Sequence, residues 1–317
     1  MSALVFALVF AIAGCADDGG GDGDKPCDDE GPPTSTSFPD KALLQASLLV
    51  EQRAQYAADG TKTESTIINL SLSDFTTYKV DSRFPTPCCA SMACFQLSGA
   101  PNDGCRGKAG EACGAVTCAN NEMCVEGTCV LCARQSLEAE KAVLSGPGVA
   151  AGSVELENKG SGKFIKAGLP TPLFAEGSME LAITGRGEAG YFPTSSVSVT
   201  APDVLEVTTP DPKQPASAVS GTDMPIKWKA GNGDRIELTM KSALPSVTDK
   251  IVCVARDDGC ATIPIGAIEW VKLDMTPGEQ ISLTLRRIKS AYGGIDSADH
   301  AGVLIKATSR VEMLLDQ

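Results

Sequence analysis

Nine cysteines crowd one stretch of this 317-residue chain: Cys88, Cys89, Cys94, Cys105, Cys113, Cys118, Cys124, Cys129 and Cys132. Around them the text is loop-like, PNDGCRGKAGEACGAVTCANNEMCVEGTCVLC, with little apolar surface to bury. Segments of this kind are held by covalent cross-links in place of a core. Zinc is the competing use, because Cys129-x-x-Cys132 has ligand spacing. A zinc ribbon needs a second such pair, and the other gaps run four, five, seven and ten residues. The one histidine, His300, lies far away. Disulfides are therefore expected and metal is not. Nine is odd, so one of these thiols pairs with Cys27, pairs with Cys253 or Cys260, or stays free.

Outside this stretch, Val, Ile and Thr recur in short blocks split by turn residues, with 32 Gly and 19 Pro. That pattern predicts an all-β chain built as sandwiches. Before the cysteines, strands are expected at Leu43–Tyr56, Ser65–Leu72 and Tyr78–Arg83; the first also fits an amphipathic helix. After them come Ser153–Leu156, Ser178–Thr184 and Ser195–Thr200. Met179, Leu181 and Ile183 alternate with polar neighbours, as a half-buried strand requires. Residues 40–209 read as one β-sandwich domain, with the cysteine-rich module inserted at about 101–134. Such an insertion adds little loop-closure entropy.

Three prolines in Thr209–Pro215 predict a stiff linker. Beyond it, 210–317 reads as a second, immunoglobulin-like sandwich. Its strands are expected at Pro225–Lys229, Arg235–Met240, Ile251–Val254, Ala261–Ile263, Glu279–Ile288 and Val303–Val311. Pro264–Leu273 is expected to form one or two helical turns. Trp228 is assigned to the core. If Asp258-Gly259 closes a hairpin, Cys253 and Cys260 fall about 10 Å out of register, beyond the reach of a disulfide. A bond between them requires a wider loop around Arg256-Asp257, and in an oxidising compartment that bond is the expectation.

The N-terminus carries a different signal. Residues 2–14 are almost all apolar or small, and no charge appears before Asp17. The run suits the h-region of a signal peptide and is too short to span a bilayer. Met1-Ser2-Ala3 has no Lys or Arg, so a start further upstream is expected. Ile12-Ala13-Gly14-Cys15 resembles the lipobox of bacterial lipoproteins. The resemblance implies that 1–14 is removed, that Cys15 is acylated (palmitate among its chains), and that the protein is tied to a membrane by lipid. More than one acyl chain is needed for stable anchoring. Removing Cys15 leaves twelve cysteines, an even number. Residues 15–39 read as a disordered, acidic, Gly/Pro-rich tether. An EF-hand register from Asp22 fails there, because Pro26 and Cys27 occupy its fifth and sixth positions. Ala16 follows Cys15, and by resemblance to lipoprotein sorting signals this implies the outer membrane.

The phrase Asn121-Glu-Met-Cys124-Val-Glu-Gly127-Thr-Cys129-Val130 resembles the EGF-like and EB-type modules, in which a Gly turn joins two small strands that each carry a Cys. Residues 150–317 resemble secreted lipoproteins of myxobacteria and related soil bacteria. The likeness rests on an apolar-Lys-Trp strand, Gly-Asp-Arg-Ile-Glu-Leu, Ile-Val-Cys-Val, Asp-Asp-Gly and Thr-Ile-Pro-Ile. It implies tandem β-sandwiches on a lipid-anchored surface protein, with no catalytic residues to carry over.

A formal net charge of −13 argues against nucleic-acid binding. No G-x-S-x-G elbow, H-E-x-x-H or Walker loop is present. His300 is expected to be a solvated turn residue. The basic run Arg286-Arg287-Ile-Lys289 reads as a solvated strand edge that discourages sheet-to-sheet pairing. No cofactor, metal or catalytic residue is expected. The favoured expectation is a non-catalytic envelope lipoprotein that meets a protein or matrix partner. The alternative is a carbohydrate-binding protein or glycoside hydrolase using loop carboxylates.

Overall fold

A computed structural model describes residues 44–72 and 136–316, apart from 189, 215, 218–221, 245, 248, 274, 277 and 296–300. Between 73 and 135 it describes a few short strands. Cys15, Cys27 and His300, and the readings placed on them, lie outside the described residues. The described residues are all-β with one short helix.

In the first half the strands are β1 (Leu44–Tyr56), β2 (Lys62–Leu72), β3 (Lys141–Ser145), β4 (Ser153–Glu155), β5 (Lys163–Ala167), β6 (Ser178–Thr184) and β7 (Ser195–Thr200). In the second they are β8 (Val207–Thr209), β9 (Met224–Trp228), β10 (Arg235–Ser242), β11 (Lys250–Ala255) and β12 (Cys260–Ile263). Helix α1 (Ile265–Lys272), β13 (Ile281–Gly294) and β14 (Ala301–Asp316) complete the chain. Leu44–Tyr56 is thus a strand, and β6 and β7 occupy the residues expected of them.

One large sheet runs in the order Glu157–Asn158, β5, β2, β1, β14, β13, β10, β11, and then Ala93–Leu97 and Val80–Phe84. Its long strands explain its reach. At about 3.3 Å per residue, the 16 residues of β14 are long enough to underlie two cores in succession. Alternation aims one face of each strand at both. In β1, Ala46, Leu48 and Val50 are fully buried in the first core, and Tyr56 is buried in the second. In β14, Val303, Ile305 and Ala307 serve the first core, while Val311, Met313 and Leu315 serve the second. A slip of one residue would turn every one of these side chains outward, so the register is fixed by burial.

Two smaller sheets cover that face. Strands β4, β3, β6 and β7 form a four-stranded sheet over the first core, with Leu144, Leu181, Ile183 and Val197 pointing inward. Strands β8, β9 and β12 form a three-stranded sheet over the second, with Ile226, Trp228 and Ile263. Helix α1 joins that layer, burying Ala267, Ile268 and Val271. Asp223 accepts a hydrogen bond from the Ile265 N–H at 2.8 Å, satisfying one of the free donors at the helix start.

The boundary expected at 210 therefore does not separate two sheets. β1 pairs in parallel with β14 from Leu44↔Ala301 to Gln55↔Glu312, so the first and last described strands are neighbours. The hairpin expected between Ile251–Val254 and Ala261–Ile263 is also replaced. β11 pairs with β10 and with Ala93–Leu97, whereas β12 pairs with β9 in the opposite sheet. The Asp258-Gly259 turn, with Gly259 at φ 111°, carries the chain between layers.

The insertion expected at about 101–134 instead departs directly after β2, and the chain returns to the same point at Leu137. The Leu137 N–H donates to the Leu72 carbonyl at 3.0 Å, closing its base at the end of β2. Within it, Glu122–Val125 pairs antiparallel with Thr128–Leu131, placing Cys124 opposite Cys129.

Candidate functional site

The two cores meet at a joint, and a cleft opens there. It encloses about 230 Å³ between β1, β2, β8, β14 and the Asp211–Lys213 turn. Its floor is already committed. Gln52 Oε1 accepts from the Leu173 N–H, and Ser309 Oγ accepts from the Leu205 N–H, both at 2.8 Å. The expected linker forms one wall. Asp211 Oδ1 accepts from the Lys213 N–H at 3.0 Å, which folds the segment into a turn over Gly60.

The cleft's charged groups are Lys62, Glu64, Glu206, Asp211, Lys213 and Arg310. Lys62 Nζ lies 2.5 Å from Glu64 Oε1, and Thr171 Oγ1 donates to Glu64 Oε2 at 3.0 Å. These partners hold the Glu64 carboxyl below the usual glutamate range and raise the Lys62 ammonium above its own. A general acid needs the opposite shift. The volume also lies under the roughly 300 Å³ where small-molecule sites begin.

Behind the cleft sits the group that sequence reasoning missed. Arg287 and Asp257 are 1% and 2% exposed and form a fork. Arg287 Nε donates to Asp257 Oδ2 at 2.7 Å, and Nη2 donates to Oδ1 at 3.0 Å. Arg287 Nη1 reaches the Val204 carbonyl at 3.0 Å, and Nη2 reaches the Lys229 carbonyl. Asp257 also accepts from Trp228 Nε1 at 3.0 Å and from the Gly233 N–H at 2.7 Å. A β-carbon at Gly231 or Gly233 would sit 2.5 or 2.8 Å from the Arg287 side chain, so glycine alone lets the backbone close over it.

The reading of Arg286–Lys289 as a solvated edge is thereby corrected. β13 lies between β14 and β10, not at an edge. The alternation Ile281, Leu283, Leu285 continues inward to Arg287, a signal available in the sequence. Arg286 and its neighbours instead face outward in an ionic lattice. Glu51, 3% exposed, lies 3.0 Å from Arg53 Nη2, 3.4 Å from Arg310 Nη1 and 3.7 Å from Arg286 Nε. Burial and the nearby Arg286 lower the Arg310 pKa against the pull of Glu51 and Glu312.

Trp228 is 4% exposed, as its core assignment requires, and Trp270 packs against the same cluster. They present no aromatic row. Cys129, Cys253 and Cys260 are each disulfide-bonded. Cys253 is 1% exposed in the inward row with Ile251 and Ala255, whereas Cys260 shares the outward row of β12 with Thr262. The side chains of Cys88, Cys89, Cys94, Cys105, Cys113, Cys118, Cys124 and Cys132 lie outside the described residues. No group of His, Cys, Asp and Glu able to hold a metal occurs among the described residues. No described helix is long and apolar enough to cross a membrane.

Fold and site together define an all-β protein of facing sheets with a small polar cleft at the joint. No protein-family model matches the chain, and no curated protein matches it.

Proposed function

We propose that the chain is a lipid-anchored envelope protein, acylated at Cys15, that presents its immunoglobulin-like layers and EGF-like module as a non-catalytic surface to a protein or matrix partner. The observation that carries this reading is Ile12-Ala13-Gly14-Cys15 at the junction of an apolar run and an acidic Gly/Pro segment. Support comes from the cleft, whose volume is small and whose Glu64 is held ionised by Lys62 and Thr171. Both tryptophans are spent on packing, so neither serves as a stacking platform for sugars. An outer-membrane location follows from Ala16 directly after Cys15.

The test is intact-mass analysis of detergent-extracted protein, before and after reduction and alkylation. The expected result is a chain beginning at residue 15, heavier by its acyl chains, with no alkylation before reduction. A water-soluble, unmodified protein with free thiols would sink the reading. A second reading keeps one observation: Glu64, Glu206 and Asp211 all line the cleft. Glycan hydrolysis abolished by Glu206→Gln and Asp211→Asn would establish the alternative.

A further inference from the structure

The outward face of the shared sheet holds two cations, Arg235 and Lys306, that form no ion pair with a described carboxylate. Arg235, on β10, is 3% exposed, and its Nη1 is buried with no hydrogen-bond partner. Lys306, on β14, is half-buried on the same face. The register fixes that placement. Arg235 stands opposite Ile288, Ile288 stands opposite Thr308, and Lys306 lies two residues further along β14. Opposed residues, and residues two apart, share a face.

The neighbouring acids are engaged elsewhere. Glu237 is bound by Arg286 at 3.2 Å. Asp234 is bound by Lys289 at 2.9 Å and accepts from the Ser290 N–H at 2.7 Å and the Ser290 hydroxyl at 3.1 Å. Glu51, opposite Thr308, is taken by three arginines. Burial lowers both the Arg235 and Lys306 pKa values and Arg235 lowers that of Lys306 further, while Glu237 (joined by Asp234 at Arg235) offsets this only in part. A desolvated, mutually repelling cation pair is costly unless an anion joins it.

We propose that Arg235 and Lys306 form a binding site for a doubly charged oxyanion of the phosphate class on the outward face of the shared sheet. Arg235 supplies a planar fork at the floor, and Lys306 supplies a point charge at the solvent side. Two surplus positive charges match a phosphate dianion. The phosphate would be either free or the headgroup of a lipid.

Calorimetric titration of the whole protein with inorganic phosphate tests this, with chloride at equal ionic strength as the blank. Vesicles of phosphatidylcholine doped with phosphatidic acid form the second arm. Saturable binding is expected, weakened at least about tenfold by Arg235→Gln and by Lys306→Met, the factor one charge-assisted hydrogen bond carries. Lys306 lies toward solvent, so its variant keeps the test decisive if Arg235→Gln fails to fold. Binding to vesicles alone assigns the lipid source, and binding to phosphate alone assigns the free anion. No phosphate-specific response in either arm, or responses that both substitutions leave unchanged, overturns the proposal.

Discussion

Arg287 and Asp257 meet through two hydrogen bonds of 2.7 and 3.0 Å, in a place where water reaches neither. Through this fork the shared sheet holds the crossover between layers, the backbone at Val204 and Lys229, and the Trp228 indole. Removing one partner strands the other as a buried charge. Arg287→Ala is expected to cost about 3–5 kcal/mol, read as a lowered midpoint in denaturant unfolding. In a cycle with Asp257→Ala, the double substitution should cost much less than the two single costs added. Additive costs would mean that the two side chains act independently.

The shared strands predict a single cooperative unit. Leu48→Ala acts in the first core and should destabilise by about 2–5 kcal/mol. Both tryptophans sit by the second core, so fluorescence reports that half and far-UV circular dichroism reports the whole. The two probes should give coincident transitions, and both should move in Leu48→Ala. A fluorescence transition left in place by that substitution would show that the halves unfold separately.

Gly233→Ala should be more damaging than its small size suggests. Its β-carbon would meet Arg287 Cγ and Asp257 Oδ2, both at 2.8 Å, and the fork would have to open. The expected reading is a loss of thermal stability that is largely absent when the same change is made in an Arg287→Ala background. An equal loss in both backgrounds would place its cause in the backbone and not in the fork.

Acid should weaken the β5 edge. Lys159 and Lys166 lie 2.9 and 3.0 Å from Glu157 and hold its carboxyl down to about 2, from the ordinary 4.5 of a glutamate. The folded value lies below the unfolded one. The contribution is therefore present above about 4.5 and is lost as pH falls through about 2. Carboxyl NMR titration of Glu157 should show this low midpoint, and salt should move it upward because the group is exposed. Titration in the ordinary glutamate range at low salt would refute it.

Local order was the legible part of this chain. Ser178–Thr184 and Ser195–Thr200 alternate cleanly between turn residues, so both their type and their bounds could be read. Lys141–Ser145 and Lys163–Ala167 escaped notice because five residues carry too few alternations to rise above their loops. The joining of β1 to β14 across some 250 residues leaves no local mark, and so the shared sheet could not be foreseen. The Arg287 fork was half visible. Extending the row of Ile281, Leu283 and Leu285 by one step places an arginine inward, but its partner lies in a segment that reads as a turn.

Because β1 runs alongside β14 with its first residue beside Ala301, any load entering at residue 44 along the strand acts on the whole ladder at once. The bonds to β2 and β14 would be sheared together and not peeled one by one. A molecule tugged from that end resists as a lap joint does, with its strength set by the length of the overlap.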